Sequence, residues 1–176
     1  MKTVDIIETS AQALYNALRS GTPIGPLTDA HEGLTIDDAY EISLAIYALR
    51  KADGEKDIGK KIGITSEAVM NMLGVDQPDF GFLTDKMWAK DNIVDTSNMI
   101  LPRAEAEIAF RLKSDLIGPN VTEDDVLKAT GSVAPCFEVV DSRVKDWKIK
   151  IQDTICLLYT SPSPRDQRGS RMPSSA

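Results

Sequence analysis

Residues 57–65 read DIGKKIGIT, and at this point the chain changes its period. Upstream, apolar residues recur at helical spacing. Here they alternate: Ile58, Ile62 and Ile64 fall on one side with Lys60, while Gly59, Lys61 and Gly63 fall on the other. Glycine inside a strand marks a place where a ligand or another backbone comes close. A lysine between two glycines on one face is therefore a candidate for chemistry, although the plainer reading is a solvated edge lysine.

Working outward, residues 4–19 (VDIIETSAQALYNALR) set Ile6, Leu14 and Leu18 near one helical face, and Gly21 follows as a stop. Residues 21–33 are a Gly/Pro-rich loop holding His31, the single histidine. A second helix is expected from Thr35 or Ile36 to Ala52, opened by a Thr35–Asp38 capping box and closed by Gly54. Downstream of the strand, residues 66–74 predict a short helix capped by Ser66 and stopped by Gly74. Residues 75–85 read as turn-rich, 100–113 as a strand, 122–131 as a helix capped by Thr122, and 133–143 as another strand. Trp88 and Trp147 are expected in the core. The pattern predicts an α+β protein, with a helical layer over residues 1–55 packed on sheet from residues 56–155.

Composition bounds the function. The chain has 176 residues, 42% hydrophobic and 27% charged, within the range of globular domains. Its formal net charge is -7, which argues against nucleic acid and anionic membranes as partners. No apolar run approaches the roughly 18–20 residues of a membrane span. Two cysteines, Cys136 and Cys156, make no disulfide framework, and the expected location is the cytoplasm.

The sharpest local signal is AEAEIAF at residues 104–110. On a strand Glu105 and Glu107 point the same way, and two carboxylates about 4 Å apart repel by about 4 kcal/mol at an effective dielectric near 20. A solvated polar face would relieve this, and so would a cation in a cleft. Glu138 lies in an otherwise apolar strand, where an unpaired carboxylate is costly. Three carboxylates suit a hard divalent ion such as Mg²⁺ or Mn²⁺. Asp79, in QPDFG, has the plain reading of a turn former.

Three stretches carry a resemblance: GKKIGITSEAVMNMLGVDQPDFGFLTD (59–85), LPRAEAEIAF (101–110) and CFEVVDSRVKDWKIKIQDT (136–154). Together they resemble the 2-hydroxypenta-2,4-dienoate hydratases of aromatic meta-cleavage pathways, within the fumarylacetoacetate hydrolase superfamily. The resemblance implies a mixed β-sheet of that fold, incomplete in this chain. It implies Glu105, Glu107 and Glu138 as ligands of Mg²⁺ or Mn²⁺, and Lys61 and Asp79 at the substrate, with Lys61 in proton transfer or water activation. It also implies a homo-oligomer, with the pathway decarboxylase as a further partner. The 4-oxalocrotonate decarboxylases share the glutamates and the lysine and are the alternative activity. A non-catalytic acidic metal-binding or assembly module is the alternative of another class.

The ending, residues 156–176 (CLLYTSPSPRDQRGSRMPSSA), differs in kind. CLLYTSPSPRD and SRMPSSA match one reading frame of a transposase-based sequencing adapter, with Gln167, Arg168 and Gly169 where a variable index would stand. The expectation is a non-native tail making few contacts, on an N-terminal fragment that is inactive by itself.

Overall fold

The structure is a computed structural model that describes residues 3–89, 93–157 and 163–164. Its helical layer begins with α1 (Val4–Ser20), which ends where Gly21 takes a φ of 67°. A short α2 (Leu27–Ala30) interrupts the Gly/Pro loop, and α3 (Ile36–Ala52) follows. Thr35 caps α3 as read from the sequence: Asp38 N–H donates to Thr35 Oγ1 at 3.1 Å, and Thr35 N–H donates to Asp38 Oδ2 at 3.0 Å. Ala11 and Leu14 of α1 pack with Ile42 and Ile46 of α3 in one buried cluster.

A helix that the sequence reading did not foresee completes this cluster. It is α6 (Ile151–Leu157), reached after α4 (Glu67–Leu73) and α5 (Glu123–Ala129) along the chain. Ile155, Cys156 and Leu157 are all buried in the core, and Ser43 Oγ donates to Ile155 O at 2.6 Å. The few contacts expected from residue 156 onward therefore do not describe Cys156 and Leu157, whose apolar side chains finish a helical face. Residues 158–162 and 165–176 lie outside the described residues.

Asp153 joins the distant ends of this layer. Its buried carboxylate accepts from Leu27 N–H at 2.8 Å, Thr28 N–H at 3.3 Å, Thr28 Oγ1 at 2.7 Å and Lys150 N–H at 3.1 Å. It thus serves the first turn of α2 and the start of α6 together. Asp153→Ala is expected to lower stability by about 2–4 kcal/mol, since buried donors lose a charged acceptor. Denaturant unfolding of the two chains measures it.

Among the described residues the strands form three two-stranded pairs, within the α+β class expected. β1 (Asp57–Gly63) lies antiparallel to β2 (Asp79–Thr84), with Lys61 opposite Gly81 and Gly63 opposite Asp79. β2 occupies the segment read as turns. Pro78 and Gly81 hide its period, but Phe80 and Phe82 stack on Tyr40 and Tyr47 of α3 at 4.8 and 4.7 Å between ring centroids. Behind this contact, Arg50 Nε meets Glu55 at 2.8 Å and Thr84 Oγ1 donates to the same carboxylate at 2.5 Å, which ties α3 to β2.

β3 (Trp88–Ala89) runs parallel to β6 (Ser163–Pro164). β4 (Arg103–Leu112) and β5 (Thr130–Val140) form a long antiparallel ladder, with α5 between them in sequence. One face of this ladder carries Ile108, Phe110, Val133 and Phe137, each more than half exposed. Trp88 and Trp147 are half-buried rather than core; Trp147 Nε1 donates to Leu101 O at 3.0 Å beside the start of β4. Among the described residues, no helix is long and apolar enough to cross a membrane.

Candidate metal centre

The β4–β5 register places Glu105 directly opposite Glu138, with Glu107 one step along on the same face, opposite Cys136. One carboxylate oxygen from each of Glu105, Glu107 and Glu138 comes within 4.8 Å of the others. Opposite vertices of an octahedron with bonds of about 2.1 Å are about 4.2 Å apart, so three such oxygens can share one small cation after slight adjustment. Glu138 is buried, as its apolar strand suggested, while Glu105 and Glu107 are exposed.

Lys61 reaches this trio from the other sheet. Its Nζ donates to Glu138 Oε1 at 2.8 Å and Oε2 at 2.7 Å, and both side chains are largely buried. The edge-lysine reading is therefore set aside. Three carboxylates and one ammonium leave two negative charges, which one divalent cation would balance. The donors are all hard oxygens, so the residues present fit Mg²⁺-class ions. Partial burial raises the Glu107 carboxyl above its ordinary range, and repulsion from Glu138 and Glu105 adds to this against the pull of Lys61.

Asp79 lies at the start of β2 with 3% of its surface exposed. Among the described residues, neither carboxyl oxygen makes a hydrogen bond of good geometry, although the backbone N–H groups of Gly63 and of Asp79 itself lie near enough to favour its charged form in part. Burial raises its pKa, and the nearby charge of Lys61 only partly offsets the effect. Such a group stabilises the fold fully below the ordinary aspartate value of about 4, and that contribution is lost as pH rises through the higher folded value. Asp79→Asn is accordingly expected to match wild type near pH 4 and to gain on it steadily toward neutrality. Paired denaturation curves across that range check it, and a constant difference would sink it.

His31 sits by Ser10 Oγ at 3.3 Å in the helical layer and takes no part in the site. Sequence reasoning missed Asp141, whose carboxylate accepts from Ile100 N–H at 2.9 Å and Leu101 N–H at 2.7 Å, fixing the approach to β4. The only signal was an aspartate at the end of VVDS, a common turn former.

No family model matches the chain. A 2-hydroxypent-2,4-dienoate hydratase of Pseudomonas putida is 54% identical over 152 residues, which are 85% of this chain and 68% of that protein. The chain belongs to the 2-hydroxypentadienoate hydratase family. Within it, a 2-hydroxyhexa-2,4-dienoate hydratase of Comamonas testosteroni is 58% identical over 158 residues, 88% of this chain and 60% of the relative. Against several such hydratases the chain thus spans little more than half to two thirds of their length. Among solved structures, a 4-oxalocrotonate decarboxylase from Pseudomonas putida G7, complexed with magnesium and adipate, superposes with a TM-score of 0.86 at 34% identity, over 92% of this chain and 62% of that one. The hydratase-family chain thus shares the fold of that decarboxylase, in agreement with the α+β class expected.

Proposed function

We propose that the full-length protein hydrates 2-hydroxypenta-2,4-dienoate to 4-hydroxy-2-oxopentanoate with a divalent cation, Mg²⁺ or Mn²⁺, held by Glu105, Glu107 and Glu138. The observation that carries this is the Lys61 ammonium on both oxygens of Glu138, inside a carboxylate trio, in a chain of the dienoate hydratase family. The magnesium and calcium complexes of the structurally similar decarboxylase support a divalent ion.

The cation, when bound, supplies Lewis acidity toward the carboxylate and 2-oxygen of a chelating substrate. The remaining work falls to the chain. Lys61 Nζ, held by Glu138, is assigned to the proton transfer that turns the dienol into the ketone or to activating the water that adds afterwards. Asp79, out of water on the same face of the β1–β2 pair, tunes that lysine. The buried position of Glu138 keeps the lysine from swinging into solvent.

A second reading follows from the structural neighbour, since decarboxylation of 4-oxalocrotonate needs the same grip on a 2-oxo acid. The test uses the chain extended by the C-terminal part of the Comamonas testosteroni relative. Metal-dependent consumption of the dienoate supports the hydratase. Release of carbon dioxide from 4-oxalocrotonate without dienoate hydration transfers the assignment to the decarboxylase. We also propose a cytoplasmic homo-oligomer, supported by two cysteines without a disulfide and by the apolar outer face of β4–β5; the pathway decarboxylase is a further candidate partner.

A further inference from the structure

We infer that Gly63 is a positioning residue of this site: the room left by its missing side chain lets Asp79 lay its carboxyl group against β1 on the face that carries Lys61. The inference rests on the reading of Lys61 and Asp79 as working together, and it adds a residue to which that reading assigned no role.

Two reasons could place glycine at position 63, and the structure separates them. The first is backbone conformation. Gly63 is ordinary strand backbone, absent from the residues with positive φ, so alanine could adopt its conformation. The second is space. A β-carbon built on Gly63 would overlap Asp79 Oδ1 and stand 3.3 Å from Asp79 Cγ and 3.7 Å from Oδ2. No other residue supplies any of its three nearest atoms. Gly59, on the same face of the same strand, shows the contrast: its β-carbon would meet only Leu83 Cδ1, at an ordinary 3.8 Å. The conflict is specific to the pair that the ladder sets opposite each other, Gly63 and Asp79.

That specificity matters because Asp79 could otherwise turn away. Its carboxyl is nearly inaccessible to water, and the backbone N–H groups of Gly63 and Asp79 itself lie close to it without hydrogen bonds of good geometry, a poor return for burying it at neutral pH. A larger residue at 63 would push the carboxyl from this place, whereas glycine admits it. The charged and titratable groups that act on it are Lys61 on β1 and Glu138 on β5, and its own charge acts in turn on the Tyr40 hydroxyl of α3. Just beyond Gly63, Ile64 has a φ of 55°, which a β-branched residue rarely adopts. The extended backbone therefore ends one residue past the pair that carries the conflict.

The test is a double-mutant cycle in the chain extended by the C-terminal part of the Comamonas testosteroni relative. Gly63→Ala should lower Tm by about 5 °C or more in the wild-type background and leave it unchanged in an Asp79→Ala background. Equal losses in both backgrounds would overturn the inference. Should Gly63→Ala alone not fold, recovery of the fold on adding Asp79→Ala supports it, and failure to recover refutes it. A merely structural role would not move two further readouts. The ¹³C-carboxyl titration of Asp79 should fall back toward the ordinary aspartate range in Gly63→Ala. The kcat for dienoate hydration should drop about 30- to 100-fold, with KM and the Mg²⁺ half-saturation within about threefold, as expected for a misplacement near 1 Å. An unmoved titration with unchanged kcat would refute the positioning role. If the unmodified extended chain hydrates no dienoate, the proposed activity fails, while the stability cycle and the titration still decide where Gly63 places Asp79.

Discussion

Replacing Lys61 by alanine in the extended chain is expected to cut dienoate hydration about 10³-fold while Mg²⁺ affinity stays within an order of magnitude. A positioned proton-transfer group contributes about 10²–10⁴-fold to a rate, and Lys61 is the cation that lies on the carboxylate trio. Metal affinity should survive because all three carboxylates of the trio remain and the competing ammonium is gone. Affinity could even improve, since Glu138 would then have both oxygens open to the ion. Single-turnover kinetics with a parallel Mg²⁺ titration would read both quantities. Turnover that is unaffected would leave the non-catalytic metal-binding module as the better description.

Glu138→Ala should have the broader effect. The substitution removes the buried carboxylate of the trio and strands a lysine whose side chain is only 14% exposed. Breaking a buried ion pair from one side costs about 3–5 kcal/mol, because the surviving charge keeps its desolvation penalty without a partner. We expect a loss of stability of that order together with a rise of more than about 100-fold in the Mg²⁺ dissociation constant. Glu105→Ala is the control: its side chain is exposed, so metal binding should weaken without a comparable loss of stability. If the two variants lose the same stability, the buried pair is not the element that matters. Lys61→Met in the Glu138→Ala background should then recover part of the loss, since an apolar chain of similar length carries no charge to strand.

How much of this was legible beforehand depends on the distance over which each signal acts. Glu105 and Glu107 could be paired from the sequence because strand period is a two-residue property. Thr35, Ser66 and Thr122 could be assigned as caps for the same local reason, and each accepts the expected backbone N–H. The meeting of Glu138 with Glu105 was not legible. Their register depends on how α5 and the loop at 113–122 close the hairpin. Lys61 and Glu138 are 77 residues apart, and no local pattern shows which face of β1 will meet β5. The family resemblance supplied both residues without the geometry. β2 escaped notice because Pro78 and Gly81 look like turn residues, and its partners are the tyrosines of α3. α6 escaped because its seven residues are too few for a helical period to stand out.

The contacts of Asp153 and α6 bear on the order in which the molecule can be made. Leu27 and Asp153 are separated by 126 residues, and the core around Ile42 and Ile46 is closed by residues 155–157. During synthesis at about 5–20 residues per second, α1 and α3 emerge early but must wait several seconds for the helix that covers them. Over that interval the first turn of α2 lacks the Asp153 acceptor for Leu27 N–H, and the side of the core that Ile155, Cys156 and Leu157 cover stays open. The helical layer therefore closes only when residues 151–157 have been made.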